Sequence, residues 1–185
     1  MTSSTDVVLG IDIGTTSAKA VARPASQRGP YVEQPGTPYA EHQTPWHTSS
    51  CGQTEIDPRR LLGTAVELIG STVTAAESAW GPVRVRSIGV AGLAESGVLL
   101  DAAGRPAAPA IAWFDRRGDH ELEQAAREFP GFPAMFERTT GLRWSSQASM
   151  AKLMWLRASG YQPGRASTWM SVPEWIVFAL GGDPV

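Results

Sequence analysis

The stretch VVLGIDIGTTSAKAVA, residues 7–22, places an apolar run, an aspartate, a glycine, three hydroxyl side chains and a lysine in close succession. The apolar run 7–11 predicts a buried strand, and residues 18–22 predict a second one, so that residues 12–17 form a tight turn between two strands. A glycine-containing turn rich in hydroxyls and preceded by an acid is typical of a phosphate and metal site. A plain β-hairpin with a polar turn is the alternative.

Two common phosphate-binding motifs do not fit this turn. A P-loop requires GxxxxGK[ST], and the segment from Gly14 to Lys19 lacks the Gly-Lys-Ser/Thr ending. A dinucleotide-binding fingerprint requires GxGxxG leading into a helix, and that pattern is also missing. What remains is a strand-to-strand turn whose backbone N–H groups and hydroxyls face one concavity, which suits phosphate oxygens.

Composition narrows the function classes. The chain has 185 residues, of which 42% are apolar and 18% charged, and this is ordinary for a globular protein. Because the net charge is −2 with no single-sign block, we expect neither a nucleic acid nor a membrane as partner. The polar start and the lack of a long apolar stretch predict a cytoplasmic protein. Cys51, the only cysteine, excludes an internal disulfide, and we expect it to be inert.

Hydrophobic spacing predicts the other elements of an α/β fold. Asp57 and Pro58 are a helix-start signal, and the apolar residues that follow predict a helix over 58–79. Residues 83–92 predict a strand whose last part is apolar enough to be central in a sheet, and short strands follow at 97–101 and 109–113. Further helices are predicted at 118–128, 149–158 and 172–180. Residues 24–50 are predicted to be loop, with short β-like pieces near 31–32 and Tyr39. The result is a mixed β-sheet that opens on a hairpin.

The opening strand, the Asp-Ile-Gly-Thr-Thr-Ser turn and the second strand resemble the first phosphate loop of the actin/hexokinase/Hsp70 superfamily of ATPases. Four later stretches resemble the FGGY family of carbohydrate kinases in order and approximate spacing: GQTEIDPRRL (52–61), IGVAGLAESGVLLDAAGRPAAPAIAWFDRRG (88–118), TTGLRWSSQASMAKLMWL (139–156) and VPEWIVFALGGD (172–183). The stretch 88–118 disfavours a chaperone-type ATPase. The chain is therefore identified by resemblance as the N-terminal domain of an FGGY kinase, over residues 1–185.

The resemblance implies a ribonuclease-H-like domain with a mixed β-sheet flanked by helices, and an ATP-dependent kinase that phosphorylates a hydroxyl of a sugar or polyol. ATP and Mg²⁺ are the implied cofactors. The second kinase domain has no counterpart in these residues, the first is expected to be incomplete at its C-terminal end, and the general base is expected just beyond Val185. We therefore expect no catalytic residue in this chain and no activity from it alone. A non-catalytic actin-like module that binds sugar or nucleotide, or a pseudokinase, is the alternative; a homo-oligomer is possible.

For the nucleotide, the resemblance implies a metal ligand at Asp12, which would hold Mg²⁺ directly or through water. The phosphates would be bound by the turn and the lysine after it: Gly14, Thr15, Thr16, Ser17 and Lys19. Gly14 would allow close approach of the backbone, and Lys19 would supply a point charge. Lys19 could instead simply face solvent.

For the sugar, the resemblance implies contacts from Glu95 and Ser96, which follow the strand at 88–92. Glu95 could instead be a surface acid. Since glycerol kinases carry an arginine at the position of Ala94, glycerol is a doubtful substrate.

Three further residues complete the predicted sugar site. Asp115 is expected to face the cleft, whereas ligand contact and an internal salt bridge are equally good interpretations of Arg117. Gln147 would exchange hydrogen bonds with sugar hydroxyls. Trp113 is expected in the core, and Lys152 is expected to serve helix packing.

Overall fold

The computed structural model describes residues 4–29, 36–161 and 167–181. In chain order the elements are β1 (Thr5–Ile13), β2 (Ser17–Pro24), β3 (Tyr39–Gln43), β4 (His47–Thr48), β5 (Thr54–Ile56), α1 (Pro58–Trp80), β6 (Val83–Gly92), β7 (Gly97–Leu100), β8 (Ala110–Ile111), α2 (Asp119–Glu128), α3 (Phe132–Thr140), α4 (Ser149–Ala158), β9 (Thr168–Ser171) and α5 (Val172–Ala179).

The chain divides into two compact units. The first comprises Met1–Pro45, Arg59–Gly92 and Ile176–Val185, and the second comprises Trp46–Pro58 and Leu93–Trp175. The predicted β-like piece at 31–32 lies outside the described residues. Among the described residues, none of the helices combines the length and the apolar character that crossing a membrane requires.

The first unit contains a four-stranded mixed sheet in the order β3-β2-β1-β6. β1 and β2 form the predicted antiparallel hairpin, with Asp12 opposite Lys19. The long helix α1, also predicted, lies between β3 and β6 in the chain, and such a crossover lets β6 run parallel to β1. The expectation that residues 88–92 form a central strand is wrong for the described residues, since β6 lies at an edge of this sheet.

Only one face of this sheet is buried. Val7, Leu9, Ile11 and Ile13 are buried on alternate positions of β1, while Gly10 and Asp12 between them are exposed. The apolar side of α1 covers the buried face through Ile69, Val73 and Ala76, which pack in one cluster with Leu9, Ala22 and Ile88. The run 7–11 is therefore apolar on both sides but buried on one.

The second unit contains a five-stranded antiparallel sheet in the order β4-β5-β8-β7-β9. β7 and β8 were predicted as close neighbours and they pair, but β6 belongs to the other sheet. β4 lies in residues predicted to be loop, and β5, β9 and α3 have no prediction; β9 is a strand only through its pairing with β7, which is distant in the chain. Trp169 of β9 lies directly over Gly97 of β7, where a Cβ atom would be 2.4 Å from the indole ring. α3 packs Phe132 and Phe136 edge-on against Trp144.

Candidate functional site

The turn between β1 and β2 consists of residues 14–16 and is closed by one hydrogen bond. The Gly14 N–H donates to the Ser17 carbonyl at 3.0 Å. In the described part of the chain, the N–H groups of Thr15 and Thr16 donate to no acceptor. A Cβ atom on Gly14 would lie 2.8 Å from the Ser17 carbonyl oxygen, so only glycine fits without a shift of backbone. Two adjacent, unused N–H donors on a tight turn form a concavity suited to an anion.

Thr44 makes two hydrogen bonds to this turn. Its hydroxyl donates to the Gly14 carbonyl at 2.9 Å, and its backbone N–H donates to the Thr16 carbonyl at 3.1 Å. Thr44 is buried although it lies just past the end of β3. Sequence reasoning missed this residue because a threonine in a segment rich in proline, serine and threonine carries no local signal.

The exposed face of the sheet carries the predicted charges. Lys19 is 53% exposed and its ammonium lies 3.8 Å from the Glu41 carboxylate. Hydrogen bonds from the Ser17 and Tyr39 hydroxyls, with a smaller contribution from Lys19, lower the pKa of Glu41. Lys19 thus faces solvent, which was the alternative to phosphate contact. The Ser17 hydroxyl already donates to the Glu41 carboxylate. Phosphate contact by these two side chains stays a prediction.

Asp12 is the one predicted metal ligand, and it is exposed two residues before the turn. The described residues contain no group of three or more histidine, cysteine, aspartate or glutamate side chains able to hold a metal ion. Asp12 therefore fits Mg²⁺ only together with a nucleotide. Beside nucleotides the ion is bound by one or two carboxylates, by water and by the phosphates themselves.

In the second unit, Asp115 and Arg117 form a buried ion pair. Arg117 Nη2 and Nε donate to the two Asp115 carboxylate oxygens at 2.8 and 3.0 Å. Arg117 also donates to the Glu55 carboxylate at 2.6 Å and to the Thr54 carbonyl at 3.1 Å. The Thr54 N–H donates to Asp115 at 2.6 Å, and the guanidinium lies 4.9 Å from the centre of the Trp155 ring. The salt-bridge interpretation of Arg117 is therefore the arrangement present in the structure.

Burial and hydrogen bonding act in opposite directions on this pair. Burial raises the pKa of Asp115, but the hydrogen bonds from Arg117 and from the Thr54 N–H outweigh it, and the pKa of Asp115 is lowered. Burial likewise opposes the charge of Arg117, and the carboxylates of Asp115 and Glu55 raise its pKa in spite of it. The Asp115 side chain is only 1% exposed. Its expected position facing a cleft does not match this burial, and sugar contact by Asp115 and Arg117 stays a prediction.

Lys152 continues this cluster from helix α4. Its side chain is fully buried, and its ammonium donates to the Asp115 backbone carbonyl. Burial lowers the pKa of Lys152 to about 8, while the Asp115 carboxylate acts in the opposite direction. Lys152 was expected to serve helix packing, and the structure adds a polar contact to the loop at 113–118. A lysine between apolar helix positions was the signal for this contact.

Glu95 lies at the N-terminus of the same helix. Its Oε2 accepts from the Ser149 N–H at 2.6 Å and from the Ser149 hydroxyl at 2.9 Å. Since the residue before the helix, Ala148, has no capping side chain, Glu95 takes over that role. The other carboxylate oxygen, Oε1, has no partner among the described residues. Gln147 is exposed two residues before Ser149.

Two predictions of burial and exposure near the predicted sugar site need correction. Trp113 was expected in the core but is 36% exposed, and it contacts the exposed Phe114 edge-on at 5.6 Å. Ser96 is fully buried, and its hydroxyl has no partner within the described part of the chain. A contact between Ser96 and a sugar therefore needs a rearrangement, and it stays a prediction.

The predicted residues fall into two groups. Those for phosphate and metal all lie in the first unit, and those for the sugar all lie in the second. Within the second unit α4 connects them, because Ser149 binds Glu95 and Lys152 binds the Asp115 carbonyl one turn later. Gly118 packs so closely on α4 that a Cβ atom there would lie 2.5 Å from the Ala151 carbonyl oxygen. The turn at 145–148 and the loop at 113–118 are thus fixed to one helix.

Comparison with known proteins gives one family. Residues 7–185 match the family model described as "FGGY family of carbohydrate kinases, N-terminal domain". The glycerol kinase of Citrifermentans bemidjiense is 31% identical over 184 residues, covering 96% of this chain and 35% of that protein. The chain therefore spans about a third of the length of the curated relatives it matches.

Solved structures agree on the fold. The xylulose kinase from Rhodospirillum rubrum is 26% identical with a TM-score of 0.77, and the comparison covers 97% of this chain and 35% of that one. The Plasmodium falciparum glycerol kinase solved with ADP is 19% identical with a TM-score of 0.80, covering 98% and 35%. The predicted ribonuclease-H-like α/β fold with a mixed sheet is confirmed. The chain belongs to the FGGY family of carbohydrate kinases and corresponds to its N-terminal domain.

Proposed function

We propose that the protein to which these residues belong transfers the γ-phosphoryl group of ATP to a hydroxyl of a sugar or polyol. Membership of the FGGY family supports the reaction class. The observation that carries the proposal for this chain is the turn at 14–16, where a glycine required by close packing precedes two unused backbone N–H donors. Because relatives are about three times longer, turnover is proposed for the whole protein and not for residues 1–185 alone.

In this proposal the turn at 14–16 receives oxygens of the β- and γ-phosphates. The Thr15 and Thr16 N–H groups are the donors, and the hydroxyl of Thr16, which is exposed, adds a third. Asp12 would hold Mg²⁺ together with those phosphates and so offset the charge that develops in transfer. A solved glycerol kinase of this fold contains ADP, which supports a nucleotide here.

The sugar would lie against the second unit. Glu95, which is hydrogen-bonded to the N-terminus of α4, offers one free carboxylate oxygen, and Gln147, just before that helix, offers an exposed amide. The exposed rings of Trp113 and Phe114 offer apolar surface to the C–H face of a sugar. Asp115 and Arg117 would then support the loop at 113–118 from inside. The particular sugar, any homo-oligomer and the cytoplasmic location stay predictions.

Sugar-dependent formation of ADP by the whole protein tests this proposal. The assay would use Mg·ATP with glycerol, xylulose and gluconate, since relatives are named for these three substrates. We expect turnover with at least one sugar or polyol. Glu95→Gln should raise the KM for it about tenfold, whereas Glu123→Gln, at an exposed position on α2, should leave it unchanged.

Nucleotide binding without turnover on any sugar would contradict the kinase proposal. That result would favour the non-catalytic actin-like module. A panel that includes pentoses, hexonates and polyols makes such a negative result decisive for the substrate class.

A further inference from the structure

We propose that Thr44 is the positioning residue that aims the backbone N–H of Thr15, in the turn at 14–16, toward a bound phosphate. The inference rests on the proposed nucleotide role of this turn. It concerns a residue outside the turn, which reaches it from the end of β3 and has no contact with the phosphate itself.

The first step is the geometry of the peptide unit. In a trans peptide the C=O and the following N–H point in opposite directions. When the Thr44 hydroxyl binds the Gly14 carbonyl at 2.9 Å, the Thr15 N–H must point away from Thr44. When the Thr44 N–H binds the Thr16 carbonyl at 3.1 Å, the Ser17 N–H is turned in the same way. Two hydrogen bonds from one residue therefore fix two peptide planes of the turn.

The second step is the rigidity of Thr44 itself. β3 pairs with β2 from Val21 opposite Tyr39 to Ser17 opposite Gln43, and Thr44 is the next residue along. Its N–H bond to Thr16 continues that ladder, and its side chain is buried. The hydroxyl is thus supplied by a residue that has little freedom to move, which is what a positioning contact requires.

The third step is what the turn would do without this hydroxyl. The part-buried Gly14 carbonyl would lose the hydrogen bond that it accepts from Thr44. The peptide plane between Gly14 and Thr15 would then be free to rotate. Only the Gly14 N–H bond to Ser17 would then hold that side of the turn. An anion would have to order the plane on binding, which weakens its affinity.

The experiment compares three variants by NMR titration of the ¹⁵N-labelled whole protein with Mg²⁺ and inorganic pyrophosphate. Thr44→Val removes the hydroxyl while keeping shape and the backbone N–H, and Thr44→Ser restores the hydroxyl. Thr72→Val is the matched control, because Thr72 is a buried threonine of the same unit whose hydroxyl also donates to a carbonyl, Leu68, at 2.8 Å. The readout is the shift of the Thr15 and Thr16 amide signals, with melting temperature measured alongside.

We expect Thr44→Val to weaken pyrophosphate binding about tenfold, Thr44→Ser to recover most of it, and Thr72→Val to leave it unchanged. Equal affinity of Thr44→Val and the unaltered chain would overturn the inference while leaving the proposed function intact. Absence of binding to the unaltered whole protein would instead overturn the phosphate role of the turn, and the positioning role with it.

Discussion

Because Lys152 is buried, the free energy of unfolding of the protein should rise at alkaline pH. Lys152 is one of two lysines in the chain, and the other, Lys19, is exposed. The Lys152 side chain is fully buried, and burial lowers its pKa from 10.5 to about 8, against the attraction of the Asp115 carboxylate. Its ammonium donates to a backbone carbonyl, so its charged form still has a partner inside the fold.

The sign follows from proton binding in the two states. Between pH 8 and 10.5 the unfolded chain keeps this proton while the folded chain releases it, so the free energy of unfolding increases with pH in that window. Below pH 8 the buried charge lowers stability by its full amount. The shift corresponds to about 3 kcal/mol, of which about 2 kcal/mol is recovered between about pH 7.5 and about pH 10.

Urea unfolding at these two pH values measures the effect. Other groups also titrate between these two pH values. We therefore compare the change in unfolding free energy from the lower to the higher pH in the unaltered chain with the same change in Lys152→Met. We expect that difference to be about 2 kcal/mol in favour of the unaltered chain at the higher pH. Lys19→Met is the control and should follow the unaltered chain, because its ammonium is in water in both states. Identical pH profiles of the unaltered chain and Lys152→Met would refute the reasoning.

Three further changes test the site at other points. Asp115→Asn leaves the buried Arg117 with only the Glu55 carboxylate and should lower the unfolding free energy in urea by about 3 kcal/mol, whereas Asp101→Asn, at an exposed pair, should lower it much less; equal losses would contradict the buried-pair account. Gly14→Ala should distort the turn and abolish pyrophosphate shifts, while Gly63→Ala, on an open face of α1, should add up to about 1 kcal/mol of stability; retained shifts in the first variant would show that the turn tolerates a Cβ atom. Glu95→Ala removes the acceptor at the start of α4 and should lower stability by about 1 kcal/mol, and an unchanged urea midpoint would exclude the capping role.

The parts of the fold that could be predicted depend on local spacing. The hairpin, the turn at 14–16, α1 and α4 each follow from apolar periodicity and a boundary signal within a few residues. β9 could not be predicted, because its four residues are a strand only through pairing with β7, about seventy positions earlier in the chain. The edge position of β6 likewise depends on which strands pair with it, and an apolar stretch does not specify that.

The candidate site divides in the same way. Residue types identified the turn, but the charged side chains predicted for the sugar site have hydrogen-bond partners that lie far away in the chain. Arg117 meets Glu55, which lies 62 positions away, and Asp115 meets the Thr54 N–H, 61 positions away. Glu95 was predicted to contact the sugar, and its bond to Ser149 was missed because Ser149 is 54 positions away in sequence. Side chains predicted to bind a ligand were thus partly used to hold the loops that would present it.

A crystal structure of the whole protein with Mg²⁺ and a non-hydrolysable ATP analogue tests the central claim most directly. The account predicts phosphate oxygens within hydrogen-bond distance of the Thr15 and Thr16 N–H groups, with Mg²⁺ on the side of Asp12 and the Thr44 bonds to the turn unchanged. Phosphates bound elsewhere, with these two N–H groups still lacking an acceptor, would contradict it.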